Sequence, residues 1–118
     1  MNKILIVDDE VEVVEFFKNF LKRKGVKALT ATEAKSALEI FETEKPELVL
    51  LDVRMPGEDG FYILQQIRQS SDQTKIIMIT AKDDKESISR AKKFGVIDYL
   101  VKPIELESLD TLITKHMD

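Results

Sequence analysis

Five polar side chains in this 118-residue chain stand where short apolar runs end: Asp8 and Asp9 after ILIV, Asp52 after LVLL, Thr80 after IIMI, and Lys102 after the run closing at Val101. Such a run reads as a buried strand. Carboxylates delivered at its tip repel one another and are costly to desolvate. Singly, each residue has an ordinary explanation: acids before a helix, a carboxylate closing a turn, a threonine ending a strand, a lysine laying its stem on apolar surface. Together they suit phosphoryl transfer through a carboxylate. Carboxylates on adjacent strands can jointly hold Mg²⁺ (or Mn²⁺), a hard ion that takes oxygen ligands and keeps waters for phosphate to replace. One carboxylate acts as nucleophile and becomes an acyl phosphate, while a cation and a hydroxyl donor meet the charge on the transferred oxygens. Asp52 is the better nucleophile because it stands alone on the central strand. Asp8 and Asp9 are then the metal pair, Lys102 the cation, Thr80 the donor, and Ala81 leaves room for the phosphodonor. Glu10 reads as the start of the next helix, where the N-terminal dipole favours an acid.

These groups converge only if parallel strands of one sheet carry them. The apolar runs are Ile4–Val7, a weaker Val26–Thr30, Leu48–Leu51, Ile76–Ile79 and Ile97–Val101. Amphipathic stretches alternate with them. Val13, Phe16, Phe17, Phe20 and Leu21 form one helical stripe that Gly25 stops; Thr32 suits an N-cap for a helix bearing Ala34, Ala37, Leu38 and Phe41, which Pro46 closes. Further helices are expected near Phe61–Gln69, Lys85–Phe94 and Glu105–Met117, the last burying Leu106, Leu109, Ile113 and Met117. The Lys85–Phe94 helix has only Ile88, Ala91 and Phe94 to anchor it, which makes it a candidate moving part. Five strand–helix units with near-continuous apolar strands imply a doubly wound parallel sheet, order 2-1-3-4-5, helices on both faces. Ligands are expected beyond the carboxyl ends, between strands 1 and 3.

Length and 43% apolar content fit one domain over residues 1–118 with a core that needs no staple. The chain has no cysteine, which excludes thiolate metal sites and cysteine nucleophiles and fits a reducing, cytoplasmic setting. No long apolar span or signal-peptide pattern is present. The formal charge of −4 argues against this domain itself holding nucleic acid.

The segments ILIVDDE, LVLLDVRMPGEDGF, IIMITAKDD and VIDYLVKP resemble, in order and spacing, the signature segments of the receiver domains of two-component response regulators, the CheY-like superfamily. The resemblance covers essentially the whole chain. It implies a flavodoxin-like (βα)5 fold and phosphorylation of Asp52 by a sensor histidine kinase or a histidine phosphotransfer protein. It implies that Asp9 and Asp52 ligate Mg²⁺ with the backbone carbonyl of Arg54, that Asp8 acts through a water, and that Thr80 and Lys102 contact the phosphoryl oxygens. The Lys102–Pro103 bond is expected to be cis. It implies further that Thr80 moves inward and that Tyr99, three residues before Lys102, follows from exposed to buried, switching the face formed by the fourth helix, fifth strand and fifth helix. No separate turnover substrate is expected.

Arg54 and Lys82, each two residues past a site residue, occupy variable positions of that family and are expected to shield the acyl phosphate or to favour a donor. Opposite charges on the fourth helix (Lys85, Arg90, Lys92, Lys93) and the start of the fifth (Glu105, Glu107, Asp110) suggest a self-complementary face for a phosphorylation-dependent homodimer; a downstream effector domain or protein is the other expected partner. Met55-Pro56-Gly57 and Asp59-Gly60 read as turn residues, Met78 and Phe94 as core, and His116 as a solvated surface residue. A phosphatase of the haloacid-dehalogenase type would need an Asp-x-Asp nucleophile motif on the first strand, which Asp8-Asp9-Glu10 does not supply. A receiver-like module that never carries phosphate is disfavoured because no site residue is missing.

Overall fold

The apolar runs form the strands and the striped segments the helices. The computed structural model describes residues 3–56 and 59–117. In chain order the elements are β1 (Lys3–Val7), α1 (Val11–Arg23), β2 (Lys27–Ala31), α2 (Ala34–Glu44), β3 (Leu48–Asp52), α3 (Asp59–Ser70), β4 (Lys75–Thr80), α4 (Lys85–Lys92), β5 (Asp98–Val101) and α5 (Leu106–His116). The five strands are parallel in the order β2-β1-β3-β4-β5.

Side chains alternate across each strand and so build two cores. Leu5, Val7, Val49, Leu51, Ile76 and Met78 face Ala37, Phe41, Leu64, Ile67 and Ala91, beneath α2, α3 and α4. Ile4, Ile6, Leu48, Leu50, Ile77 and Ile79 face Phe17, Leu21, Leu109 and Ile113, beneath α1 and α5. β1, β3 and β4 are therefore covered on both faces, which is why their sequences carry no polar alternation. Met78 is core, as expected, and Phe94 packs half-buried against the same cluster.

Local stops follow the backbone. Gly25 at φ +75 ends α1, its amide and that of Val26 reaching back to Lys22 and Leu21. Gly95 at φ +70 does the same after α4. Gly60 is fixed by contact: a Cβ there would lie 2.2 Å from Val53 Cα, so only glycine lets the first turn of α3 rest on the backbone leaving β3.

Three expectations need correction. Glu33, not Thr32, is the N-cap residue of α2, and no side chain caps that end. Leu106 is 46% exposed, because α5 begins there and the half-buried Ile104 takes its place against the core. His116 is half-buried, its ring nitrogen 3.1 Å from Asp98 Oδ2, because α5 returns its last turn to the start of β5. The Lys102–Pro103 peptide is cis. Gly57 lies outside the described residues, as does the side chain of Asp59.

Candidate functional site

The register that sets Val7 beside Leu51 carries Asp8 to the side of Asp52 at the carboxyl edge. Both carboxylates are placed the same way. Asp8 Oδ1 accepts the amide of Glu10 at 2.9 Å and Asp52 Oδ1 accepts that of Arg54 at 2.8 Å, each two residues on. With one oxygen held by backbone, each turns Oδ2 toward the centre, where Lys102 Nζ lies 3.0 Å from both. Glu10 Oε1 approaches the same ammonium at 2.5 Å. Lys102 is held by its own backbone, its amide donating to the carbonyl of Thr80 at 2.8 Å and so tying β5 to β4.

Asp8 is fully buried and Asp52 and Thr80 almost so, whereas Asp9 and Glu10 are exposed. Burial pushes the Asp8 carboxyl up to about 6, with the Asp52 charge adding to the rise; the Glu10 amide and Lys102 oppose it. For Lys102, burial acts downward, but its contacts with the carboxylates of Glu10, Asp52 and Asp8 outweigh it and raise the ammonium above its ordinary range. Thr80 Oγ1 donates to the carbonyl of Ala81 at 3.3 Å. Tyr99 lies half-buried on β5, opposite Met78 in register.

A divalent cation fits this edge. Carboxylate oxygens of Asp8, Asp9, Glu10 and Asp52 all lie within 4.8 Å of one another. Asp8 Oδ2 is buried with no directed hydrogen bond, the ammonium approaching at ion-pair distance only. A buried anionic oxygen in that state is ready to gain a cation or a bound water.

Two residues here were not foreseen. Glu10 is more than a helix start: it is the N-cap residue of α1, yet its carboxylate turns away from the helix to Lys102. Asp84 caps α4 through the Ser87 amide at 3.1 Å and receives Arg54 Nη1 on its other oxygen at 3.1 Å. Its spacing, an acid three residues before Ser87, is a readable capping signal. Arg54 is thus paired with α4, while Lys82 is exposed beside a groove of about 1050 Å³ that Tyr99 and Lys102 also line. The opposite-charge surface is also smaller than expected: Arg90 stacks over the Phe61 ring at 3.9 Å, and Asp110 pairs with Lys24 of α1 at 2.7 Å.

Residues 4–114 match the family described as response regulator receiver domain. The chain belongs to that family. It is 41% identical over 101 residues to the alkaline phosphatase synthesis transcriptional regulatory protein PhoP of Bacillus subtilis, covering 86% of this chain and 42% of that protein. It is 30% identical to sporulation initiation phosphotransferase F of the same organism, over 98% of this chain and 93% of the relative. Among solved structures, the receiver domain of NtrX from Brucella abortus superposes with a TM-score of 0.89 at 29% identity, covering 97% of each chain. The chain spans about half the length, or less, of the first curated relatives it matches. This receiver is phosphoryl-accepting, with an acidic cluster suited to a phosphoaspartate and a divalent cation. Receivers act by phosphotransfer to themselves and dephosphorylation, without multiple turnover of a separate substrate. Among the described residues no helix is long and apolar enough to cross a membrane.

Proposed function

We propose that Asp52 is the phosphoacceptor, taking its phosphoryl group from a sensor histidine kinase or a histidine phosphotransfer protein. One observation carries this reading: Lys102 Nζ meets the free oxygens of Asp8 and Asp52 at equal distance, while backbone amides hold their other oxygens. Asp52 Oδ2 attacks phosphorus, the new O–P bond forms as the P–N bond to the donor imidazole breaks, and that bond's electron pair stays on the imidazole, which is already protonated at its other nitrogen or takes a proton from water. Lys102 then follows the negative charge onto the phosphoryl oxygens, where the Thr80 hydroxyl donates a second contact.

Asp9, Asp52 and the backbone carbonyl of Arg54 would hold the cation, Mg²⁺ (or Mn²⁺), with Asp8 acting through a water. When bound, it neutralises charge on the phosphoryl oxygens during transfer. Reorientation of Thr80 draws Tyr99 inward and shifts the α4–β5–α5 face between two conformers. The chain works as one receiver domain over residues 1–118 in the cytoplasm, without contacting nucleic acid or membrane itself. A downstream effector domain or protein reads the switched face.

Incubation with acetyl phosphate and Mg²⁺, followed by intact-mass measurement, tests the assignment: the wild type gains one phosphoryl group and Asp52→Ala gains none. Equal uptake by both removes Asp52 from the role. Exposed Lys85, Lys92 and Lys93 on one side and Glu105 and Glu107 on the other also favour a homodimer of the phosphorylated form. Light scattering with beryllofluoride checks this, and an unchanged mass rejects it.

A further inference from the structure

α4 is held at both ends by arginines from the β3–α3 segment. At its C-terminal end Arg68 of α3 donates Nε to the Phe94 carbonyl and Nη2 to that of Gly95 at 3.2 Å, while Nη1 reaches the Ser71 carbonyl at 3.2 Å. At its N-terminal end Arg54 Nη1 reaches Asp84 Oδ2 at 3.1 Å, and the other oxygen of Asp84 caps the Ser87 amide. Between these ties the apolar anchoring is thin: Ala91 is the one fully buried apolar side chain of α4 among the described residues, beside a partly buried Ile88 and Arg90 stacked over Phe61. A cavity of about 440 Å³, lined by Val53, Arg54, Met55, Phe61 and Ser87, separates its first turn from the loop after β3.

The two ties differ in what they can respond to. Arg68 binds neutral carbonyls remote from Asp52. Arg54 is rooted at the site, since its own amide donates to Asp52 Oδ1 at 2.8 Å. Its side chain is largely exposed and holds a single carboxylate, whereas Asp84 is buried. A dianionic phosphoryl group on Asp52 is a stronger partner for a guanidinium than one carboxylate, because it offers more oxygens and more charge.

We propose that Arg54 is a two-position latch: it holds the α4 cap Asp84 in the unphosphorylated chain and transfers to the phosphoryl oxygens once Asp52 is modified. Asp84 is the positioning residue that keeps the guanidinium parked beside the site. Transfer leaves Asp84 buried with one partner fewer, loosens the first turn of α4, and lets that end move into the neighbouring cavity while Arg68 holds the other end as a pivot. This latch rests on Asp52 being the acceptor.

Residue-resolved amide exchange by NMR tests it, with intact mass measured on the same samples. In the wild type, phosphorylation by acetyl phosphate and Mg²⁺ raises exchange at Ser87 and Ile88 about fivefold, the effect expected from weakening one helix cap. Arg54→Ala shows that rise before phosphorylation and little more after it, with the β3 amides unchanged. Asp84→Asn, which keeps an oxygen for Ser87, loosens α4 in the same way while still accepting phosphate. Wild-type exchange in unphosphorylated Arg54→Ala, or an equal response to phosphate in wild type and Arg54→Ala, overturns the latch and leaves Asp52 in place. Absence of phosphate on Asp52 in the wild type removes the acceptor assignment and the latch with it.

Discussion

Asp8 is the residue at which burial and charge conflict most sharply. Its folded-state pKa of about 6 lies above its ordinary value of 3.8, so the stability gained from protonating it is complete below about pH 4 and is lost as pH rises through about 6. In metal-free buffer, Asp8→Asn should therefore be more stable than the wild type at pH 7, by about 2 kcal/mol, and indistinguishable near pH 4. Urea denaturation at the two pH values checks this; a constant difference would remove burial of the ionised form as the cause. Lys102 gives the complementary case. Lys102→Ala leaves Asp8, Asp52 and Glu10 without their common cation and should cost about 3 kcal/mol in metal-free buffer. Mg²⁺ should restore more thermal stability to this variant than to the wild type, measurable as the rise in Tm across a titration. The residues at the strand tips were legible because type and position coincide. The role of Glu10 was not, because an acid at a helix start has a sufficient local explanation, and only the folded β5–α5 junction brings Lys102 to it.

At the scale of elements, the β3–α3 junction is the least forgiving. Gly60→Ala forces a methyl group against the Val53 backbone, which no rotamer relieves, and should cost about 3 kcal/mol. The same substitution should slow phosphate uptake, because the displaced segment carries Arg54, whose amide orients Asp52. Denaturation and intact-mass time courses measure the two effects, and a variant as stable as the wild type would show that α3 rests elsewhere. Strands and helices were readable from periodicity, including the thin apolar anchoring of α4. What could not be read was set by contacts distant in sequence. Thr32 had the right chemistry for a cap, but α2 starts two residues later behind Glu33. Leu106 fitted the apolar spacing of α5, yet the chain enters that helix from Ile104 and leaves Leu106 outside. His116 belongs to no local pattern; Asp98, 18 residues before it, determines its setting.

Across the whole molecule, two cores share one sheet, and the site sits at the edge where both end. Damage deep in either core should lower stability while leaving the chemistry of the folded fraction intact. Phe17, fully buried beneath β1 and β3, is the sharpest test: Phe17→Ala should lose about 4 kcal/mol, yet take up phosphate at the wild-type rate at a temperature where it remains folded. A slower rate there would mean that the α1 side of the sheet sets the position of the edge. The strand order was legible because only a right-handed, doubly wound arrangement brings the tips of β1, β3, β4 and β5 together. Tyr99 offers an optical consequence. The chain contains no tryptophan and two tyrosines, of which Tyr62 is half exposed on α3 and Tyr99 lies half-buried on β5. Tyr62→Phe therefore yields a protein whose entire tyrosine fluorescence comes from one ring on β5. Its emission and acrylamide quenching become a direct, label-free readout of whether that ring enters the core when the phosphoryl site is filled.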